Sequence, residues 1–397
     1  YFYPDNPQNY QISQLYLPIC RNGHVDVKLA DGTEKTIRIH EIHMEEDAGK
    51  LVHDEWEGVS YVDYNRSGVP LIEIVSEPDM RSAEEVIAYL TKLRTTIQYL
   101  GASDCKLQEG SMRADVNLSV RERGSSEFGT RTETKNLNSF AAIERAIKAE
   151  TARQIDLIEA GEKVVQETRR WNDDKEYSYA MRSKEDAQDY RYFPDPDLVP
   201  IIISDEWMAE VKSKEPEFRD EKMARYISEF NLPEYDADII TLYKPLADLF
   251  EAAVEKGSAP KEASNWLMGE TMRIVKDKGI EPDQVKLTGE NFAKFLKLIE
   301  NDVINKTVAK EVFEAIFDGG VNPEAYVEEH GLKMDNDTDG LKKIIEEVVA
   351  NNPKAVADYQ GGNKKAIGAL VGQTMKATQG KANPQMINKI LNEILNK

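Results

Sequence analysis

The spacing of the apolar residues changes once along the chain, and this change constrains the fold more than any other feature. Up to about residue 205, alternation of apolar and polar residues at every second position dominates, as in "HVDVKLADGTEKTIRIH". Such alternation is typical of half-buried β-strands. After "YRYFPDPDLVPIIIS" the apolar residues recur with the period of a helix. The sequence therefore predicts an α+β protein, with a mainly antiparallel sheet domain followed by helices.

Breaks in the helical pattern predict the domain boundaries. A chain of 397 residues is long enough for two or three domains. Glycine and proline interrupt the pattern near residues 232–233, 257–260, 279–282 and 319–323, and "KMDNDTDG" is typical of a polar linker. We predict a sheet domain over residues 1–205, an all-helical domain over 206–335 and a small helical tail domain over 336–397.

Local signals predict individual elements of the sheet domain. Asp31-Gly32 between two alternating runs indicates a hairpin, and "SYVDY" and "PLIEIVSE" predict a further pair of strands. Ser82 with Glu85 forms a capping box at the start of a helix that ends at Gly101. A later hairpin is predicted in "SMRADVNLSVRERGSSEFGTRTETK", and a second helix over residues 139–161.

Charge is unevenly distributed along the chain. The formal net charge is −21, which is unusual for a protein that binds nucleic acid, because phosphate contacts need lysine and arginine. Residues 353–397 nevertheless hold seven lysines against Asp358 and Glu393, a net charge of +5 that leaves −26 for the rest. The tail is either a basic binding module on an acidic body or a solvated pair of surface helices.

Cysteine content and hydropathy bear on the compartment. Two cysteines, Cys20 and Cys105, cannot form a disulfide framework, and no apolar run is long enough for a membrane span. We therefore expect a cytoplasmic protein without a membrane partner, although an organelle is also compatible. The chain begins at Tyr1 without a methionine or a signal-peptide pattern, so we expect that it has been cut and that any targeting segment was lost.

Common catalytic motifs are absent from the sequence. It contains no Walker A loop, no GxSxG, no HExxH and no cysteine pair at zinc spacing. A Cys20 nucleophile assisted by a histidine is conceivable, but ordinary structural residues are the stronger interpretation. If the protein uses ATP, it is not a P-loop enzyme.

Two acidic segments are candidate metal-binding strands. In "HEIHMEEDAGK", Glu41, His43 and Glu45 would share one face of a strand, where carboxylates and an imidazole could hold a divalent cation. Glu73 stands inside an apolar run, where a buried carboxylate needs a partner or a metal. For the first segment a solvated, charged strand edge is the stronger interpretation, and Glu73 could equally well face water.

The polar face of the later hairpin is a candidate phosphate site. Arg113 and Lys135 could take phosphate oxygens, while Asp115 and Asn117 could orient a nucleotide or a metal-bound water. The exposed face of any antiparallel sheet would show a similar mixture of polar residues.

Several long segments together resemble one known family. They are "YFYPDNPQNYQISQ", "HMEEDAGK", "VDYNRSGVPLIEIVSEPD", "EGSMRADVNLSVR", "TETKNLNSF", "DYRYFPDPDLVP", "NWLMGE" and "NPKAVADYQGGNKKAIGALVGQTMKATQGKANPQMIN". They resemble the GatB family, the B subunits of the tRNA-dependent amidotransferases. The segments keep their order over nearly the whole chain, so a chance match is excluded.

The resemblance implies an architecture and an activity. GatB proteins have a large cradle domain, a helical domain and a tail similar to the YqeY proteins. They work with an amidase-type glutaminase subunit and a small tethering subunit in a heterotrimer, and they use ATP and Mg²⁺. The implied reaction converts Glu-tRNA(Gln), and often Asp-tRNA(Asn), to the amide. The family also begins with a further strand, similar to "GLEVH", that helps to bind the metal, so we expect an incomplete metal site here.

The resemblance also implies site residues in this numbering. Glu45 and Glu73 would be catalytic metal ligands with His43, and Glu46 and Glu77 weaker neighbours. The ATP and acyl-phosphate pocket would be formed by Arg113, Asp115, Asn117, Lys135 and Asn138. The tRNA acceptor end or the ammonia route would lie beside Tyr3, Asp5, Tyr10, Gln11 and Ser13. The tail would contact tRNA through Lys364, Lys365, Lys376 and Lys381. The alternatives are a tRNA-binding scaffold without catalysis and a stand-alone ligase that activates a free acid.

Overall fold

Strands fill the first part of the chain and helices the second in the computed structural model, which confirms the predicted α+β class. The structure describes residues 4–54, 56–183, 192–334, 338–378, 380 and 382–396. The chain divides into two units, Tyr1–Pro216 and Glu217–Lys397. The finer division into three domains stays a prediction.

The first sheet is built on a long hairpin. Strands β1 (Cys20–Lys28) and β2 (Glu34–Glu46) pair antiparallel, with Lys28 opposite Glu34 next to the turn. In the turn, the Asp31 side chain accepts a hydrogen bond of 2.8 Å from the Thr33 amide, and Gly32 takes a left-handed φ of +86° that few other residues tolerate. The predicted hairpin is confirmed.

The predicted pairing of "SYVDY" with "PLIEIVSE" is wrong, although both segments are strands. Strand β4 (Val59–Asp63) pairs with β3 (Lys50–Asp54), whereas β5 (Pro70–Ser76) pairs with β2. The connection between β3 and β4 is shorter than that between β4 and β5, so the local hairpin costs less loop-closure entropy. The order β1-β2-β5 then gives the long β2 strand a partner on both sides.

A second sheet carries the other candidate residues. Its order is β6 (Val116–Leu118), β7 (Thr132–Lys135), β8 (Glu167–Asn172) and β9 (Tyr177–Ser183). The pair β6–β7 is antiparallel, as predicted, but β7 and β8 are parallel because helix α2 (Phe140–Glu159) crosses over between them.

Two helices pack against the sheets. The Ser82 side chain caps α1 (Ala83–Tyr99) by accepting from the Glu85 amide, and Ser139 caps α2 in the same way. Tyr89 and Leu90 of α1 and Ile143 of α2 lie in one apolar core with residues of the first hairpin. Beyond this core, β5 and β6 are the edge strands of their sheets, and both line one open cavity of about 2780 Å³.

The remaining elements are helical. They are α3 (Asp205–Ser213) in the first unit, and in the second unit α4 (Arg219–Ser228), α5 (Glu234–Leu242), α6 (Lys244–Glu255), α7 (Pro260–Trp266), a π-helical turn (Leu267–Thr271), α8 (Met272–Lys278), a 3-10 turn (Pro282–Gln284), α9 (Gly289–Glu300), α10 (Lys306–Ile316), α11 (Pro323–Glu329), α12 (Thr338–Asn351), α13 (Pro353–Gln360), a 3-10 turn (Lys364–Ala366), α14 (Ile367–Ala377) and α15 (Pro384–Leu395). The predicted breaks all coincide with helix boundaries, and Pro260 and Pro323 are the first residues of α7 and α11. The predicted linker is partly wrong, since α12 already begins at Thr338.

Apolar residues pack together at two places in the described part of the second unit. The Phe313 ring of α10 makes tilted or edge-to-face contacts with Trp266, Phe292, Phe295 and Phe317. Residues of α12, α14 and α15 form the other cluster. Among the described residues, the structure contains no helix that is both long and apolar enough to span a membrane.

Candidate metal and phosphate site

The pairing of β2 with β5 brings together the two acidic segments. His43 lies directly opposite Glu73 in this register, and Glu45 follows His43 on the same face of β2. Because the strands are antiparallel and adjacent, residues 30 positions apart in the sequence become neighbours.

Distances show that these three side chains converge. Nε2 of His43 lies 3.1 Å from Oε1 of Glu45 and 3.3 Å from Oε2 of Glu73. One potential ligand atom from each of the three residues falls within 4.8 Å of the other two. His43 is buried, while the Glu73 side chain is 56% exposed, so the group opens to solvent on one side. This arrangement can accept a cation from solvent.

Electrostatics favour a positive charge at this point. Burial, and then the nearby Glu45 carboxylate, raise the pKa of Glu73 above its usual value, and Asp115 adds to the effect. A divalent cation would relieve this repulsion. Nδ1 of His43 is buried without a hydrogen bond and lies 3.5 Å from a Glu41 carboxylate oxygen. The donor set of one imidazole and two carboxylates therefore fits a divalent metal, with Glu41 beside its histidine.

The segment before β1 contacts this group directly. The Ser13 hydroxyl donates a hydrogen bond of 2.9 Å to Oε1 of Glu45, and Gln11 Nε2 lies 3.4 Å from the other oxygen. Tyr10 donates to Asp195 at 2.9 Å, and Asp5 is buried. Tyr3 lies outside the described residues. Ser13 and Gln11 thus orient Glu45.

Two weaker candidates lie outside the cluster. Glu46 points to the other face of β2 and accepts from Gln8 Nε2 at 2.5 Å. Glu77 lies beyond the end of β5, where its carboxylate is 2.9 Å from Nδ1 of His40. Neither belongs to the group of converging ligand atoms among the described residues.

Ion pairs organise the second hairpin. Lys135 Nζ lies 3.0 Å from Asp115 Oδ2 and 3.4 Å from Glu133 Oε1. Burial lowers the pKa of Lys135, but the hydrogen bond and the charge of Asp115 outweigh this effect, and the net pKa lies above the usual value. Lys135 therefore stays protonated, as a phosphate-binding lysine must.

Two cavities connect the candidate residues. Arg113, Asp115 and Asn138 line a pocket of about 320 Å³ together with the loop of residues 107–110. Asn117 is exposed and lines the larger cavity, which Glu45 and Glu73 also line. Members of both predicted groups therefore open into one common space within the first unit, whereas Lys135 lines neither cavity.

Sequence reasoning missed two charged residues beside this pocket. Asp47 has a side chain only 5% exposed and forms ion pairs with Arg66 and Arg113. Asp47 directly follows the acidic strand, which was a usable signal. Arg66 lies in the turn between β4 and β5, and no local pattern indicates its partner.

Comparison with known proteins decides the family. The family model of the GatB/GatE catalytic domain matches residues 1–209, and that of the GatB domain matches residues 248–395. This chain belongs to the GatB family. The resemblance seen in its motifs is confirmed.

Curated GatB relatives are highly similar over the whole chain. The B subunit of the aspartyl/glutamyl-tRNA(Asn/Gln) amidotransferase of Lachnospira eligens is 75% identical over 401 residues, covering 100% of this chain and 83% of the relative. The protein of the same name from Agathobacter rectalis is 68% identical over 395 residues, with the same coverage. A third, from Lachnoclostridium phytofermentans, is 63% identical over 397 residues.

The lysine-rich tail lies within the second GatB match. Lys364 and Lys365 form part of the 3-10 turn before α14, and Lys376 lies in the last turn of α14. Lys364, Lys365 and Lys376 are all exposed. Lys381 lies outside the described residues.

Proposed function

We propose that this chain activates and amidates the side-chain carboxylate of Glu-tRNA(Gln), Asp-tRNA(Asn) or both, as one subunit of a tRNA-dependent amidotransferase. The observation that carries the proposal is the convergence of His43, Glu45 and Glu73, of which Glu45 and Glu73 line a cavity that Arg113 and Asp115 also line. The relatives described above, each the B subunit of an aspartyl/glutamyl-tRNA(Asn/Gln) amidotransferase, support it.

The reaction needs activation because a carboxylate is a poor electrophile. A carboxylate oxygen attacks the γ-phosphorus of ATP, the bond to the bridging oxygen breaks, and ADP leaves. Ammonia then attacks the carbonyl carbon of the acyl phosphate, phosphate leaves with the bonding electrons, and the nitrogen loses a proton. Both steps accumulate negative charge that the site must stabilise.

The side chains of the site divide this work. His43, Glu45 and Glu73 would hold Mg²⁺, which neutralises phosphate charge when bound. Arg113 and Lys135 would bind phosphoryl oxygens, since both are cationic and Asp115, the partner of Lys135, lines the same pocket as Arg113. Asp115 positions Lys135, and Asn117 and Asn138 offer hydrogen bonds to the nucleotide or the acyl phosphate.

The opening segment would act at the tRNA end of the site. Ser13 and Gln11 orient Glu45 through their hydrogen bonds. We assign Asp5 and Tyr10, together with Tyr3, to the neighbourhood of the tRNA acceptor end or the ammonia route. An unpaired 3′ end binds well to aromatic surfaces.

Ammonia, and most of the contacts that bind the tRNA, would come from outside the first unit. We propose an amidase-type glutaminase and a small tethering subunit as partners in a heterotrimer. Lys364, Lys365, Lys376 and Lys381 would contact tRNA phosphates. Because charged tRNA is the substrate, we place the reaction in the cytoplasm.

The test is amidation by the reconstituted complex with Glu45→Gln or Glu73→Gln. Each variant keeps the size of the side chain but removes a charged ligand atom. We expect ATP-dependent amidation of charged tRNA, with ammonium chloride as nitrogen source, to fall about 100-fold or more, while tRNA binding is unchanged. Glu162→Gln, at an exposed position in the loop after α2, is the matched control.

Each alternative has its own signature in this experiment. Full amidation by both glutamine variants would contradict the metal assignment and favour a scaffold role. ATP turnover on a free small acid without tRNA would instead indicate a stand-alone ligase.

A further inference from the structure

Asp47 joins two guanidinium groups through its two carboxylate oxygens. Oδ2 accepts from Arg66 Nη2 at 2.6 Å and from Arg66 Nε at 3.0 Å. Oδ1 accepts from Arg113 Nη2 at 2.9 Å. The Asp47 side chain is only 5% exposed, so its charge depends on these two partners for stabilisation.

Arg66 donates hydrogen bonds from all three of its side-chain nitrogens. Besides Asp47, it donates from Nη2 to the Gly110 carbonyl oxygen at 2.8 Å and from Nη1 to the Glu109 carbonyl oxygen at 3.3 Å. A Cβ atom at Gly110 would lie 2.8 Å from Nη1 of Arg66, and the φ of +74° at this position also favours glycine. Arg66 therefore links Asp47 to the loop of residues 107–110 by hydrogen bonds, and the glycine at position 110 leaves space for the Arg66 guanidinium group.

Arg113 is the open member of the group. Its side chain is 62% exposed, and Asp47 is its one hydrogen-bonding partner among the residues that the structure describes. It lines the 320 Å³ pocket with Asp115 and Asn138. Because Nη2 of the planar Arg113 guanidinium is bonded to Asp47, the remaining N–H donors of Arg113 can point in only a restricted set of directions.

We infer that Asp47, held by Arg66, is a positioning residue that orients Arg113 toward a phosphoryl oxygen of the substrate. The inference rests on the proposed function and extends it to Asp47 and Arg66, to which the sequence motifs gave no role. Arg66 and Arg113 outweigh the charge of Asp47 by one unit, so the group keeps a net positive charge for an anion. Arg66 fixes the orientation of Asp47, and Arg113 contacts the phosphoryl oxygen.

A double-mutant cycle in the reconstituted complex tests this coupling. The variants are Asp47→Asn, Arg113→Lys and both together, and the rate measured is ammonia-dependent amidation of charged tRNA over a range of ATP concentrations. Asn keeps the shape of Asp47 but accepts weakly, and Lys keeps the charge of Arg113 but loses the fork. Misplacement of a reacting group costs about 100-fold, so we expect Asp47→Asn to lower kcat/KM for ATP by about that factor.

The cycle separates positioning from general damage. If Asp47 acts through Arg113, the double variant is no slower than the slower single variant. If the rate loss in the double variant equals the product of the losses in the two single variants, the inference is overturned. Arg273→Lys, at an exposed arginine on α8 in the second unit, is the matched control. Thermal melting shows whether each variant is folded. If Asp47→Asn unfolds, Arg66→Lys replaces it. We expect the same loss of kcat/KM for ATP from Arg66→Lys, and again a non-additive effect when it is combined with Arg113→Lys.

Glu73→Gln in parallel distinguishes this inference from the proposed function. If Glu73→Gln abolishes amidation but Asp47→Asn and Arg66→Lys leave kcat/KM for ATP unchanged, the positioning inference alone is wrong. If Glu73→Gln also leaves amidation unchanged, the proposed function loses its site. Added guanidinium chloride gives a further readout. It should partly restore amidation in Arg113→Ala with Asp47 intact, and no restoration would count against a direct phosphoryl contact.

Discussion

His43 and Glu73 lie directly opposite each other on adjacent antiparallel strands, with Nε2 of the imidazole 3.3 Å from a carboxylate oxygen. Glu45, two residues after His43, approaches the same nitrogen at 3.1 Å. One pair of strands thus presents three potential ligands at one point. A ladder of backbone hydrogen bonds holds this geometry, and it does not depend on a flexible loop.

The first prediction concerns direct metal binding. Glu73→Gln should weaken Mn²⁺ binding about tenfold or more, since it removes a charged ligand, and Ser13→Ala should weaken it by about tenfold because Ser13 orients Glu45. Titration calorimetry of the isolated chain measures both effects, with Glu162→Gln as control. Equal affinity in all four proteins would show that the cluster binds no metal.

The second prediction concerns the tail lysines. Neutralising Lys364 and Lys365 to Gln should weaken tRNA binding and reduce the slope of log K against log salt by about one per lysine that contacts a phosphate. Filter binding at several salt concentrations measures the slope. Lys212→Gln, an exposed lysine on α3, should leave it unchanged. An unaltered slope in the double variant would remove these lysines from the tRNA surface.

The third prediction concerns the start of α10. Asn305 accepts hydrogen bonds of 3.0 Å from the Thr307 and Val308 amides, and its Nδ2 donates to the Gly380 carbonyl oxygen. Asn305→Ala should cost about 2 kcal/mol of unfolding free energy, because it removes a cap and a long-range hydrogen bond. Urea unfolding measures this cost.

Asn322 provides the comparison for this position, because it caps α11 and, within the described part of the chain, its side chain makes only these local bonds. Asn322→Ala should cost about 1 kcal/mol. Equal costs at the two positions would mean that the bond to Gly380 contributes nothing to stability.

The fourth prediction concerns pH. Arg38 binds both oxygens of Asp79, and these hydrogen bonds lower the pKa of Asp79 from 3.8 to about 2. A carboxyl group with a lowered pKa stabilises the folded state above its unfolded pKa, and the contribution is lost as the pH falls through the folded value. The difference in unfolding free energy between the wild type and Asp79→Asn should therefore be constant above pH 5 or so and shrink from about pH 4 to about pH 2.

Removal of the partner tests the cause of this pH dependence. Arg38→Gln eliminates the guanidinium, so it should remove most of the same contribution over the same pH range, and the backbone hydrogen bond from the Arg38 amide to Asp79 remains. If the difference between the wild type and Asp79→Asn persists undiminished at pH 2, the ion pair is not its source.

Local elements could be predicted from the sequence because their causes are local. The alternation of β2, the Asp31-Gly32 turn and the Ser82 cap depend on residues a few positions apart, and all three are confirmed. The face shared by His43 and Glu45 also follows from a period of two. These features gave the α+β class and one side of the candidate site.

Only the tertiary structure decided which strands are neighbours. The sequence suggested that β4 pairs with β5, whereas β5 lies beside β2 and thereby brings Glu73 to His43. The link from Asp47 to Arg113 spans 66 residues, and its third member, Arg66, has no local signature. Alternation determines the face of a strand on which a side chain lies, but partner and register depend on competition among long-range packings and loop-closure costs. For this protein the sequence alone therefore determined the candidate ligands, and the packing of distant strands determined that three of them converge.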